Sequence, residues 1–252
     1  MRKLLCSLLV LGPSLTLQAQ VQPRPITHSM VIDSPGQYIL TRDLTTTASD
    51  AALTIRANNV TIDLNGKEIS GPGTNSGTGI LIDGATGVTL SGGFIRDLGF
   101  GITVMSSNSV TIEGVHVTGR GIAVAAPPPE VGIMVVNSRS VTIRHNNLYS
   151  VGLGVFVRGP GSMGNHIYEN TITASMNGLL GICYNPAPGA AGGPRGDSVE
   201  RNSISGFNFA IQVNAGGPNV FKNNTLAYKM GAFEVAAGTM HEDVGNVKIQ
   251  LP

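Results

Sequence analysis

An all-β solenoid built by repeating one coil is the fold class this sequence predicts, on three observations. Glycine is abundant (34 of 252 residues), tryptophan is missing and only 12% of residues are charged. No apolar 3.6-residue periodicity persists, which argues against amphipathic helices. A motif G-I-x-V recurs instead, at Gly79-Ile80, Gly101-Ile102, Gly132-Ile133, Gly154-Val155, Gly181-Ile182, Ala210-Ile211 and Ala232-Phe233. The spacings are 22, 31, 22, 27, 29 and 22 residues, a period that marks repeat architectures. Leu53-Thr54-Ile55 supplies an earlier, weaker copy.

In chain order, residues 1–19 read as a secretory signal peptide. Arg2 and Lys3 precede an apolar stretch over residues 4–17, and Leu17-Gln18-Ala19 makes a plausible cleavage end. The stretch is too short to span a membrane. Cys6 lies too early, without small neighbours, for a lipoprotein acylation site. Cleavage after Ala19 leaves 14 basic against 15 acidic residues, a net charge of −1. That balance argues against nucleic acid or an anionic membrane as the main partner. Cys183 is then the single cysteine, so no intramolecular disulfide can form and stability must come from packing. About 230 residues can bury one sizeable core. No later segment is long and apolar enough to cross a bilayer, and export to the periplasm or beyond is expected.

A second register accompanies the first. Ile62, Leu90, Ile112, Ile143, Ile167, Val199 and Phe221 each end a short alternating run such as VTI. Three residues later stand Asn65, Gly93, Val115, Asn146, Asn170, Asn202 and Asn224. Two further on comes an aliphatic residue in six of the seven copies, while the first slips to Ile69. Each repeat therefore holds three short strands and three turns. Strands this short pair with their equivalents one repeat later, in parallel and about 4.8 Å away. The handedness of strand–crossover–strand connections makes the winding right-handed. The Asn column is expected at a tight bend, where Asn tolerates a left-handed backbone and stacked amides hydrogen-bond along the column.

This pattern resembles the right-handed parallel β-helix repeats of pectate lyases, polygalacturonases, alginate epimerases and NosD-like periplasmic proteins, over roughly residues 50–235. The expectation is a single-stranded right-handed parallel β-helix of about seven to eight coils with an Asn-containing tight turn. It occupies residues 20–252, with an N-terminal cap at about 20–50 and a C-terminal cap at about 236–252. The resemblance is specific for fold rather than activity, since unrelated chemistries share the scaffold.

In the resembled family the G-I-x-V strand floors the substrate groove, and loops on either side wall it. Two insertions break the period here, residues 125–131 (AAPPPEV) and 185–196 (NPAPGAAGGPRG), on opposite sides of that strand. A cleft between them is the expected site. Alternation places Leu81, Thr103, Met134, Phe156, Cys183, Gln212 and Glu234 in one outward column of the floor. The next column is Asp83, Met105, Val136, Arg158, Asn185, Asn214 and Ala236. Substrate contact is assigned to Phe156, Arg158, Asn185, Gln212 and Asn214. Phe156 would stack on a sugar face while Arg158 and Arg195 hold a carboxylate. The stripe Met105, Met134, Val136 and Phe156 needs a cover, which could be a loop, a sugar face or a second copy.

The catalytic set is incomplete. A polygalacturonase-like hydrolase needs neighbouring carboxylates, but Asp83 and Glu234 lie about six coils apart. A pectate-lyase-like site needs an acidic calcium cluster, and the sequence offers none. A lyase or epimerase needs a cation and a base: Arg158, Arg195 and Asp197 are weak candidates, and Tyr184 falls on an inward position. A rival charged face holds Arg144, Tyr168, Glu200 and Lys222 in one column and His145, Glu169, Arg201 and Asn223 in the next. It reads most simply as a solvated ion-pair ladder; as an acid–base site it would use His145, Tyr168 and Arg144. Met163-Gly164-Asn165-His166 and Met240-His241 carry soft ligands but no closed set, so no metal or other cofactor is expected. The sequence thus points to an exported β-helix protein that binds, and could process, an acidic extracellular polysaccharide on the face bearing Phe156 and Arg158. A calcium-free lyase or epimerase is one alternative. A structural protein associating with its own copies through the apolar stripe is the other.

Overall fold

The computed structural model describes residues 22–47, 50–73, 76–120 and 130–252, apart from the side chains of Met176 and Asn177. These residues form strands and no helix. The stretch read as a signal peptide and residues 125–129 of the first insertion lie outside the described residues.

One coil shows the plan. Thr142–Arg144, Asn147–Tyr149 and Leu153–Arg158 lie on three successive faces. Each pairs in parallel with its equivalent one coil later. The first face is a ten-stranded sheet among the described residues. The second and third faces merge toward the C-terminal end, where Thr171–Asn185, Ser203–Val213 and Thr225–Val235 each run through both as one long strand. The expected rungs are in register: Ile62, Leu90, Ile112, Ile143, Ile167, Val199 and Phe221 stack in that order, all fully buried. One continuous core fills the tube.

The stack comprises about nine coils rather than seven to eight. The difference lies at the ends, which were expected as caps and are themselves coiled. Arg24–Ile26 pairs with Gly36–Leu40, and Met30–Ile32 with Ala51–Ile55. His241–Val244 pairs with Asn219–Lys222, and Val247–Gln250 with the last long strand. The C-terminal coil lacks the apolar signature because charge occupies its inward positions, whereas at the N-terminal end Ile26, Ile32 and Leu40 are buried and Arg24 alone breaks the apolar column. Arg24 stands in register with Tyr38, Asp243 with Phe221, and Lys248 with Leu226. The Lys248 ammonium pairs with the Asp243 carboxylate and lies 5.0 Å from the Phe233 ring centre. Asn246 Nδ2 donates to Asp243 at 2.6 Å.

The Asn column is a hydrogen-bonded ladder. Oδ1 of Asn170, Asn202, Asn224 and Asn246 each accepts both the backbone N–H and the Nδ2 of the Asn one coil earlier, at 2.7–3.0 Å. The same Nδ2 groups donate to the carbonyls of Ile112, Ile143, Ile167, Val199 and Phe221, at 2.7–3.0 Å. The bend would otherwise bury these backbone groups unpaired. Asn65 is itself left-handed, with φ of 52°, as expected, but in the ladder the left-handed residue is the one before the Asn, which corrects the sequence expectation there. His145, Glu169, Arg201 and Asn223 take φ of 55°, 56°, 52° and 55°. Such residues are strained by roughly 1–2 kcal/mol each, and the ladder bonds next to them offset it.

The glycine of G-I-x-V answers a different need, close approach at the corner between second and third faces. A Cβ on Gly101, Gly132 or Gly154 would sit 2.5, 2.7 or 2.3 Å from the carbonyl oxygen of the next coil. Ala210 and Ala232 are accommodated where the chain rounds the corner within one bulged strand.

Replacing Asn170, midway along the ladder, with Ala should destabilise the protein by about 3 kcal/mol, because buried backbone groups on both sides lose their partners. Urea unfolding would read this as a lower midpoint with an unchanged slope.

Candidate functional site

The third face carries the two outward columns in the expected order. Leu81, Thr103, Met134, Phe156, Cys183, Gln212 and Glu234 are successive register partners. Asp83, Met105, Val136, Arg158 and Asn185 form the neighbouring column. Met105 is 38% exposed, and Met134, Val136 and Phe156 are half-buried. They make one contiguous apolar patch that ends at Arg158.

The Arg158 guanidinium lies over the Phe156 ring, 5.9 Å from its centre. Among the described residues Arg158 makes no ion pair. Beside it the amides form a connected row. Asn214 Nδ2 donates to Asn185 Oδ1 at 2.6 Å and to Gln212 Oε1 at 2.9 Å, while Gln212 Nε2 donates to Glu234. The 186–194 loop starts immediately after Asn185 and packs near Gly159, where an added Cβ would be 3.4 Å from Ala187 Cβ. The opposing wall, 125–129, lies outside the described residues. A cleft of about 510 Å³ opens at the N-terminal end of the same face, lined by Met30, Val31, Asp50, Thr54, Thr78 and Leu81. Sequence reasoning missed it by treating residues 20–50 as cover.

Two candidates fall elsewhere. Arg195 stands in a corner row with Asn108, Arg139 and Met163, off the floor that bears Arg158. Asp197 is 1% exposed and belongs to a second internal ladder. Its carboxylate accepts the Asn165 backbone N–H at 2.8 Å and Asn165 Nδ2 at 3.1–3.2 Å, and its own N–H donates to Asn219 Oδ1 at 3.0 Å. Burial pushes the Asp197 carboxyl up to about 6, against the lowering effect of the Asn165 hydrogen bonds. The Tyr184 ring is fully buried in the core, edge-on to Phe221 at 5.9 Å, as its inward position implied. Cys183 occupies the outward column yet is 1% exposed, with Sγ 3.3 Å from Gln212 Oε1. Burial, with a smaller contribution from Glu234, pushes its thiol up to about 12.

The rival face is paired throughout. Glu113 holds Arg144 at 2.5 Å, and Arg144 Nη1 donates to the Tyr168 hydroxyl at 3.3 Å. Glu169 binds Arg201 at 2.8 Å and His145 at 2.7 Å, and those two contacts, Arg201 first, hold its carboxyl below the usual range. Glu200 takes Ser198 Oγ at 2.5 Å, Lys222 at 3.2 Å and Arg201 at 3.3 Å. A cleft of about 250 Å³ lies here, lined by His166, Tyr168, Ser198, Glu200 and Arg201. Each carboxylate in it already has its cations. Among the described residues no three His, Cys, Asp or Glu side chains converge as metal ligands. No helix there is long and apolar enough to cross a membrane.

The sequence family described as "Right handed beta helix region" matches residues 42–187. No curated protein matches the sequence. Several solved structures share the fold. A hyperthermoactive exopolygalacturonase from Thermotoga maritima is 12% identical at a TM-score of 0.53, over 80% of this chain and 53% of that one. A double mutant of the periplasmic alginate epimerase AlgG is 13% identical at a TM-score of 0.56, over 88% and 62%. An alginate lyase from Paenibacillus sp. str. FPU-7 is 16% identical at a TM-score of 0.52, over 85% and 89%. The chain thus spans between half and two thirds of the length of the first two.

Two outcomes follow from the buried groups. The Asp197 carboxyl is raised in the folded state from its ordinary 3.8 to about 6. Its contribution is therefore fully favourable below pH about 4 and is lost as pH rises through about 6, a difference of roughly 3 kcal/mol. Asp197→Asn should flatten that dependence, read as a smaller change in Tm between pH 4 and 7. Cys183 should resist a maleimide in the native protein and react once the chain is unfolded.

Proposed function

Because the chain belongs to the right-handed β-helix family, we propose that it is an exported protein that binds an acidic extracellular polysaccharide on its third face, around Phe156 and Arg158. The observation that carries this reading is the Arg158 guanidinium, laid over Phe156 and without a carboxylate partner among the described residues. A ring and a cation side by side suit the apolar face and the carboxylate of one uronic acid residue. The amide row of Asn185, Gln212 and Asn214 runs beside them and leaves one end of the Asn185 amide for the sugar. The apolar patch of Met105, Met134 and Val136 extends the surface on which sugar faces can lie. The exopolygalacturonase, alginate epimerase and alginate lyase of the same fold are named for acidic polysaccharides, which supports the substrate class.

Binding is favoured over turnover by the placement of the bases. A lyase or epimerase must abstract a proton next to the neutralised carboxylate. Asp197 and Tyr184 are buried away from the floor, and His145 and Tyr168 belong to a different face. Export rests on the basic and apolar character of residues 1–19.

Arg158→Ala should weaken binding of oligogalacturonate or oligoalginate by roughly tenfold or more, leaving Tm within a degree or two. His145→Ala should leave binding unchanged. If His145→Ala abolishes binding and Arg158→Ala does not, the site lies on the charged face instead.

A further inference from the structure

We infer that Glu234 is a positioning residue: its carboxylate fixes the direction of the amide row, so that the floor offers donors beside Arg158 and selects carboxylated sugars over neutral ones. This rests on the floor reading above and adds a residue to it.

The argument is one of hydrogen-bond polarity. An ionised carboxylate only accepts. Glu234, the register partner of Gln212, therefore takes Nε2 of that side chain. Gln212 must then turn Oε1 the other way, where it accepts from Asn214 Nδ2 at 2.9 Å and from Cys183 Sγ at 3.3 Å. The second hydrogen on Asn214 Nδ2 goes to Asn185 Oδ1 at 2.6 Å. With Oδ1 so engaged, Asn185 has its Nδ2 left over, and that group has no partner among the described residues. Asn185 is the register partner of Arg158, so the free amide and the free guanidinium belong to adjacent strands about 4.8 Å apart. The Cys183 thiol is compatible with this direction, donating to Oε1, but does not set it, since its sulfur can also accept.

Were the row reversed, Asn185 would present its carbonyl oxygen next to Arg158. That oxygen would repel a carboxylate and favour a hydroxyl. Nothing in the shapes of Asn185, Gln212 or Asn214 prevents reversal, because an amide flipped end for end occupies the same volume. Glu234 is what distinguishes the two directions. The ligand class it selects carries a carboxylate on the ring that Phe156 supports, with Arg158 and Asn185 Nδ2 as the donors.

The test measures binding of a galacturonic acid trimer and of the corresponding galactose trimer by titration calorimetry, in the full chain and in Glu234→Gln. A glutamine at 234 can offer either end of its amide, so the direction is no longer enforced. The expected result is about a twofold loss of affinity for the acidic trimer, the share of molecules whose row then runs the wrong way, with no loss for the neutral trimer and Tm unchanged. In parallel, the Asn185 side-chain amide resonances in ¹⁵N-edited spectra should shift in the variant. Should Glu234→Gln unfold the chain, Gln212→Leu interrupts the same row and should collapse the acid-over-neutral preference. If the folded variant keeps the wild-type preference, the positioning role falls and the floor reading stands. A wild-type protein that binds neither trimer, or both equally, overturns the floor reading and this inference together.

Discussion

From Val115 to Asn246 the successive coils of this protein are joined at their sharpest bend by side-chain amides, and the C-terminal half of the structure depends on that join. A chain that turns within one or two residues leaves backbone N–H and C=O groups facing inward with no strand opposite them. Asn146, Asn170, Asn202, Asn224 and Asn246 meet both needs with one group, Oδ1 taking an N–H from the preceding coil and Nδ2 reaching a carbonyl there. Serine does similar work at another corner, where Ser107, Ser138 and Ser162 each accept a backbone N–H from the coil before. With the corners satisfied from within, the outward positions of all three faces are free to vary in chemistry while the tube stays the same.

The outward positions divide by whether their charges are matched. On the first face, from Glu113 to Lys222, the carboxylates are each met by a cation one strand away. Exposed pairs of this kind add little stability individually, and they leave no unmet charge for a ligand. On the third face the arrangement is the opposite. Arg158 rests on an aromatic ring, and its near neighbours are amides whose hydrogen bonds run among themselves to a single carboxylate at the far end. A guanidinium kept apart from carboxylates in this way holds its full attraction for one brought from outside.

Much of this was legible in the sequence because the solenoid converts period into position. The columns headed by Ile62 and by Leu81 could be written down from spacing alone, and the register partners follow them residue by residue. What escaped the reading shares one physical cause: a position's environment depends on the coils above and below, which spacing does not describe. Asp197 looks like a loop acid beside an arginine, yet its backbone places it where the neighbouring coils carry Asn165 and Asn219. Cys183 alternates outward and is nonetheless covered. His145, Glu169 and Arg201 gave no sign of a left-handed backbone, because that conformation is imposed by the ladder residue that follows each of them.

The inward pair at the last coil bears on how the molecule behaves in company. A parallel tube has no inherent length, and its terminal strands expose a row of hydrogen-bonding groups that could accept one more strand from anywhere. Here that edge carries Asp243 and Lys248 in columns that hold aliphatic or aromatic residues from Tyr38 to Phe221 and from Leu44 to Leu226. A strand arriving from another molecule would have to strip water from both ions to seat itself, and the price is several kcal/mol per ion. Arg24 puts the same obstacle at the opposite mouth. Among the described residues, adding a strand at either edge therefore costs the desolvation of an ion before any apolar contact is gained.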